Sequence, residues 1–240
     1  MTRDDPGVTH SYRCVDVFGS GPLTGNPVAV VHDADDLTDE GEFQPYARDP
    51  ETLARPWAPP GVAGLEHRIG GLEKADITGN ISYDPANHDF MVRTRQAKID
   101  RIADSLPPME VEDPSGEAKV LVLGWGSTYG PIGAACRRVR RAGYHVAQAH
   151  LRHLNPFPND LGEVLKRYDK VLVPEMNLGQ LSLLLRAKYL VDAIGYNQVN
   201  GMPIKAAELA EAVGHLVAEA EGIPLEELDL SVATSQEVHQ

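Results

Sequence analysis

A chain of 240 residues accommodates one large or two small domains, and an apolar share of 42% is enough for a real core. Only 6% of residues are aromatic, so that core must rest on Val, Leu, Ile and Ala. The net charge of −13 argues against a nucleic-acid partner, because an acidic chain repels phosphate backbones.

The charge is concentrated at the ends. Residues 1–40 hold eight acids and two bases, residues 208–240 hold eight acids and no base, and the stretch between is near neutral. Acidic ends of this kind read as solvated. Cys14 and Cys136 are the only cysteines and form no CxxC, so the chain cannot supply a four-cysteine iron–sulfur site. A disulfide between them is not expected in a reducing compartment. No apolar run reaches the roughly 18 residues of a membrane span, and the acidic start does not read as a signal peptide. The expectation is a cytoplasmic protein without a membrane partner.

Taken in order, residues 12–40 read as a short β-element. Residues 41–118 are rich in Pro, Gly and charge, with one helix expected from about Asp89 to Ala103. Asp84-Pro-Ala-Asn-His88 reads as a turn into that helix. The helix's basic residues Arg93, Arg95, Lys98 and Arg101 read as a solvated or inter-subunit face.

Residues 119–222 alternate apolar strands with amphipathic helices. Val120-Leu-Val-Leu123 is a continuous apolar run, as for a strand buried on both faces. A helix is expected from about Pro131, with Ile132, Ala135, Cys136 and Val139 on its apolar face and Gly143 ending it. A strand at His145–Leu151 and the break Asn155-Pro-Phe-Pro158 come next. Asp160 with Glu163 predicts an N-cap for a helix carrying Leu161, Val164, Leu165 and Tyr168. Lys170-Val-Leu-Val173 is a third strand, and Asn177 with Gln180 suggests a cap before Leu181, Leu184, Leu185 and Lys188. A weak strand near Ile194–Val199 precedes a final helix at Lys205–Glu221, and residues 223–240 form an acidic tail. Strands alternating with helices of about 10–15 residues imply a doubly wound, mainly parallel α/β sheet.

Three constellations bear on chemistry. Gly124-Trp-Gly-Ser-Thr-Tyr-Gly130 follows a strand and opens a helix, where glycines can present N–H groups to an anion. It lacks the P-loop lysine and the dinucleotide spacing, and the favoured reading is a tight turn capped by Ser127 or Thr128. Glu175-Met-Asn-Leu-Gly-Gln180 sits at a strand's carboxyl end. Glu175 reads either as a general base or, preferably, as part of a cap and subunit contact. His145, His150 and His153 lack the i, i+4 spacing of a helical metal pair, so no metal ligand is assigned.

Several of these motifs together resemble a known family. Gly71-Leu-Glu-Lys, Gly79-Asn-Ile-Ser-Tyr-Asp-Pro-Ala-Asn-His88 and Met91-Val-Arg-Thr-Arg95 are similar to the linker after the pyrimidine-binding domain of 2-oxoacid:ferredoxin oxidoreductase α subunits. Many members carry His where this chain has Lys74. Leu123-Gly-Trp-Gly-Ser-Thr-Tyr-Gly-Pro131, His153-Leu-Asn-Pro156 and Val173-Pro-Glu-Met-Asn-Leu-Gly-Gln-Leu181 resemble the transketolase C-terminal-like domain of the same subunit, closest to the 2-oxoglutarate type. The resemblance covers about residues 41–205. It implies the C-terminal part of such an α subunit, from an enzyme that decarboxylates 2-oxoglutarate onto CoA and passes electrons to ferredoxin.

The resemblance also implies that thiamine diphosphate, Mg²⁺ and the iron–sulfur cluster sit on a partner β subunit, in a hetero-oligomer. The family's activating glutamate and Tyr-Pro-x-Thr-Pro substrate segment have no counterpart here. Catalytic and cofactor-binding residues are therefore left unassigned, and the expected role is scaffolding and subunit contact. The family's use of an arginine for the 2-oxoacid carboxylate suggests substrate contacts at Arg55, His67 or Arg68. Tyr12-Arg-Cys-Val-Asp-Val-Phe18, Gly25-Asn-Pro-Val-Ala-Val-Val31 and Asp33-Ala-Asp-Asp-Leu37 resemble instead the opening hairpin of the phenazine-biosynthesis-like isomerase family. The chain thus reads as composite, joined near Glu40–Gly41. Its alternative functions are an isomerase fragment or a non-catalytic interaction domain.

Overall fold

The computed structural model describes residues 43–231 and, before them, the strands at 12–17 and 26–31. The Glu40–Gly41 junction and the last nine residues of the acidic tail lie outside the described residues. Strands β1 (Tyr12–Val17) and β2 (Asn26–Val31) pair antiparallel, with Tyr12 opposite Val31 and Val17 opposite Asn26. The chain divides into two compact units, 1–95 and 96–240.

Between residues 43 and 84 the first unit has almost no regular structure. Isolated antiparallel bridges join Tyr46 to Ile77 and Lys74 to Ile81. Its order comes from helix α1 (Pro85–Ile102), which continues across the division into the second unit. The helix begins earlier than apolar periodicity indicates, and Asp84-Pro-Ala-Asn-His88 holds its first turn rather than a turn before it. Asp84 accepts the Ala86 N–H at 3.0 Å, and Pro85 stands where a missing N–H costs nothing.

Side chains of α1 then clasp the 73–82 loop. Asn87 donates to the Lys74 carbonyl (2.9 Å) and accepts from the Asp76 N–H (3.0 Å), so one amide pairs with the backbone as a strand would. Arg95 grips Glu73 with both Nη atoms (3.0 and 3.2 Å), and His88 Nδ1 lies 2.7 Å from the same carboxylate. Met91 is fully buried.

The second unit carries a five-stranded sheet. Its strands are β3 (Val111–Glu112), β4 (Val120–Trp125), β5 (Ala147–Leu151), β6 (Lys170–Glu175) and β7 (Ala193–Asn197), in the order β3-β5-β4-β6-β7. All neighbours are parallel except β3, which runs antiparallel to β5 at the edge. The helices are α2 (Tyr129–Arg141), α3 (Leu161–Leu165), α4 (Gln180–Tyr189) and α5 (Ala206–Glu221).

Alternation along β4 sorts the two cores. Val120 and Val122 meet Ile132, Cys136 and Val139 of α2 and Leu209, Val213 and Val217 of α5. Leu121 and Leu123 meet Leu161 and Leu165 of α3 and Leu181 and Leu185 of α4. Helices on both faces explain why the strand is apolar without interruption. The doubly wound, mainly parallel α/β sheet expected from the sequence is present, and α1 precedes it in the chain.

Four local expectations change. Strand β5 starts at Ala147, not His145, and α2 starts at Tyr129, not Pro131. The helix expected through Tyr168 stops at Leu165, and Asp160 does not cap it. The Asp160 carboxylate instead accepts the Met109 N–H at 2.9 Å, fastening the segment before β3. Gly143, at φ 91°, follows α2 in the left-handed conformation expected of it.

Candidate functional site

Strand order reverses between β5 and β6 around the central β4, which places a crevice outside the carboxyl ends of β4 and β6. Two turns line it: Gly126-Ser-Thr128 after β4 and Met176-Asn-Leu-Gly179 after β6. Ser127 Oγ lies 3.8 Å from Met176 Sδ, so the turns meet.

The first turn is closed by its own side chain. Thr128 Oγ1 donates to the Trp125 carbonyl at 2.8 Å and accepts its N–H at 3.2 Å. The preferred reading, a capped strand–helix turn, therefore holds through Thr128. Gly124 is required by close approach. A Cβ there would strike Ile132 Cδ1 and come within 2.9 Å of Thr128 Oγ1 and 3.2 Å of His150 Nδ1. That same Nδ1 is buried without a hydrogen-bond partner. Desolvation, then the charge of Arg152, pushes the His150 pKa down, and Tyr129 stacks edge-on against its ring at 5.1 Å.

Glu175 is fully buried and committed to its own helix. Its oxygens accept the N–H groups of Leu181 (2.9 Å) and Ser182 (3.0 Å) and the Asn177 amide (3.1 Å). Asn177 Oδ1 takes the Gly179 and Gln180 N–H groups at 2.7 and 3.1 Å. Carboxylate and amide together satisfy the open N-terminus of α4, where the helix dipole also favours negative charge. The capping reading of Glu175 and Asn177 is thus the observed one.

The face beyond is apolar and exposed. Leu178 is 85% exposed, Leu183 67%, Leu184 54% and Leu190 90%. Exposed leucines grouped on one helix and its flanking turns are a feature of contact surfaces.

Among the described residues no three His, Cys, Asp or Glu side chains group as metal ligands, and no helix is long and apolar enough to cross a membrane. His145 Nδ1 sits 3.3 Å from Glu117, and His153 is exposed. Cys136 is buried, and desolvation pushes its thiol up to about 12.

In the first unit, Arg55 and His67 come together while Arg68 stays apart. Arg55 Nη2 lies 3.1 Å from His67 Nε2, and His67 Nδ1 lies 2.9 Å from the Leu65 carbonyl. Since a carbonyl only accepts and a guanidinium only donates, this arrangement suits the imidazole carrying its proton on Nδ1. Arg55 also donates Nε–H to the Pro45 carbonyl at 2.7 Å and lies over the Tyr46 ring, 4.1 Å from its centroid. Arg68 is exposed, and its charge is felt by Lys74. Lys74 is buried and donates to the carbonyls of Gly70 and Leu72, and desolvation lowers its pKa. Sequence reasoning passed over Tyr46, Arg48 and the burial of Lys74. No periodicity marks them, because they lie in irregular chain.

A doubly wound α/β unit with helix-capping turns at its switch point defines the class of domain. Residues 118–206 match the pyruvate:ferredoxin oxidoreductase core domain II family. The chain is 59% identical over 187 residues to the 2-oxoglutarate oxidoreductase subunit KorA of Mycobacterium tuberculosis, covering 78% of this chain and 28% of that protein. It is 33% identical to the α subunit of 2-oxoacid:ferredoxin oxidoreductase 2 of Aeropyrum pernix, covering 67% of this chain and 24% of that one. A solved 2-oxoglutarate:ferredoxin oxidoreductase from Magnetococcus marinus, with 2-oxoglutarate, coenzyme A and succinyl-CoA bound, superposes with a TM-score of 0.65. It is 32% identical and covers 75% of this chain and 31% of that chain.

The chain is therefore similar to one part of 2-oxoacid:ferredoxin oxidoreductase α subunits, and it spans less than a third of the length of these relatives. The isomerase-family resemblance of residues 12–40 gains no support from these matches.

Proposed function

We propose that this chain is the C-terminal portion of the α subunit of a thiamine-diphosphate-dependent 2-oxoglutarate:ferredoxin oxidoreductase, acting as scaffold and subunit contact. The assembled enzyme would convert 2-oxoglutarate and CoA to succinyl-CoA and CO2 in the cytoplasm, with electrons passing to ferredoxin. The identity of 59% over 187 residues carries this reading. Thiamine diphosphate, Mg²⁺ and the iron–sulfur cluster are assigned to a partner β subunit, in keeping with the two cysteines of this chain, Cys14 and Cys136, being too few for a four-cysteine cluster. Within the proposal, residues 1–40, 41–118, 119–222 and 223–240 are a hairpin, a linker, the α/β contact domain and an acidic tail.

The apolar surface around α4 is the proposed contact, and Glu175 holds its helix in place. Co-expression with a cluster-bearing β subunit tests this. Co-elution is expected, and Leu183→Lys with Leu184→Lys should weaken it by about tenfold or more, since charges in an apolar contact are left unpaired. A folded chain that elutes alone beside an intact β subunit would refute the reading.

A further inference from the structure

We infer that the open edge of strand β7 pairs antiparallel with β7 of a second copy of this chain, joining two sheets about a twofold axis. Among the described residues β7 ends the sheet, and β6 is its strand neighbour. The Gln198 N–H reaches the Glu175 carbonyl at 2.9 Å. Every second residue of a strand turns the same way, so Ile194 and Tyr196 also face β6, while Ala193, Gly195 and Asn197 face outward. Ala193 is occupied: its N–H meets the Val191 carbonyl at 3.0 Å, and its carbonyl takes Arg186 Nη1 at 3.0 Å. Gly195 and Asn197 are exposed, and their outward N–H and C=O groups have no partner among the described residues.

The two edges of the sheet are built differently. The β3 edge is two residues long, Glu112 is engaged by Arg140 and Gln148, and Asp113-Pro114 follows at once. Shortness, charge and proline keep an edge from pairing. The β7 edge has none of these protections. From Ala193 to Ile204 the chain carries no charged residue, and Pro203 lies beyond the strand. Copies of a chain with net charge −13 repel one another, and a neutral stretch is where they can meet.

One register suits a second copy. With Tyr196 opposite Tyr196 of that copy, Gly195 of each chain faces Asn197 of the other, and the open N–H and C=O groups satisfy one another. Ala193 then faces Val199, and Leu190 lies toward Met202, so exposed apolar side chains meet at both ends of the strand. Asp192, the nearest acid, is held by Arg186 and falls toward Asn200, so no like charges are opposed. Glycine at 195 lets a second backbone approach closely. This self-matching of one patch is what a twofold dimer requires, and it favours a second copy over a foreign strand.

The inference rests on the sheet edge and not on the functional reading above. The full chain is followed by sedimentation equilibrium from about 1 to about 200 µM, with hydrogen exchange at both ends of that range. Short edge pairing buries less than a standard interface, so a dimer dissociating at about 10 µM is expected. The Gly195 and Asn197 amides should exchange about fivefold more slowly at the high concentration, while those of Ile194 and Tyr196 stay protected throughout. Gly195→Pro removes an outward N–H and leaves the bonds to β6, and it should weaken the dimer about tenfold or more. Val199→Lys with Met202→Lys, placed on exposed side chains, should do the same. Leu183→Lys with Leu184→Lys should leave the dimer intact.

Melting temperatures accompany each variant. If Gly195→Pro lowers its own, the lysine pair at 199 and 202 decides, and an undiminished dimer there overturns the pairing. A chain that stays monomeric at the highest concentration overturns the inference. So does a dimer whose Gly195 and Asn197 amides exchange as freely as in the monomer, or one that the lysines at 183 and 184 dissolve. Protection of these amides by an added β subunit, in a chain that is otherwise monomeric, overturns the second copy as occupant. Co-elution with the β subunit without dimerisation removes this interface and keeps the functional reading. Dimerisation without co-elution does the reverse.

Discussion

Strand β4 and the 43–84 segment show two ways of ordering a chain. In β4, five consecutive residues are buried, and each alternate side chain enters one of two apolar cores. In 43–84 the bridges are isolated, and order comes from single side chains reaching backbone groups: Asn87 to Lys74 and Asp76, Arg48 to Leu53, Arg55 to Pro45. The first way is collective and non-directional, so its stability scales with buried area. The second is local and directional, so single polar groups matter and pH enters.

Core truncation should have the largest effect. Leu123→Ala empties a fully buried position between sheet and helices and should cost about 3 kcal/mol in urea unfolding. A loss below about 1 kcal/mol would mean that this sheet is not the cooperative core of its unit.

Glu175→Ala comes next, because the apolar unit also depends on one polar device. It strips two N–H groups of α4 of their acceptor and should cost about 2 kcal/mol, with Glu175→Gln losing less. Equal losses in the two variants would show that charge, rather than hydrogen bonding, is what the helix end requires.

The clasp of Glu73 makes the order of the 73–82 loop depend on pH. Its hydrogen bonds from Arg95, then His88, hold its pKa at about 2, against an ordinary 4.5. A depressed folded-state pKa means that this stabilisation is fully present above about pH 4.5 and is lost as pH falls towards 2. The Ala75 and Ser82 amides, bonded to Asn80 and Glu73 carbonyls, should exchange more slowly in the wild type than in Glu73→Gln at about pH 5. The two proteins should converge near pH 2. No gap at about pH 5 would assign the ordering to Met91 packing instead.

The smallest effect belongs to the exposed Lys205–Glu208 pair at 2.7 Å. Lys205→Ala should leave the urea unfolding midpoint unchanged within error, since solvent screens such pairs.

Legibility followed the same division. Val120–Leu123, the Gly143 stop and the Asn177 cap could be read from the sequence because their causes lie within a few neighbouring residues. Asp160 looked like a cap from its spacing to Glu163, yet its carboxylate goes to Met109, 51 residues away in sequence. The start of α1 was missed because Pro85 and Asp84 carry no apolar periodicity, although their capping chemistry was present. Of the candidate substrate contacts, Arg55 and His67 meet and Arg68 does not, and nothing in their spacing distinguishes them.

The sequence by itself determined the alternation of apolar runs and amphipathic helices, the turn chemistry and the family resemblance, because these reside in local pattern and motif order. Tertiary structure alone decided that the Asp160 carboxylate takes the Met109 N–H and that Lys74 is buried on the Gly70 and Leu72 carbonyls. It alone brought Arg48 and Arg55 to one tyrosine ring. Burial and the partners of a polar group depend on residues brought close only when the chain folds.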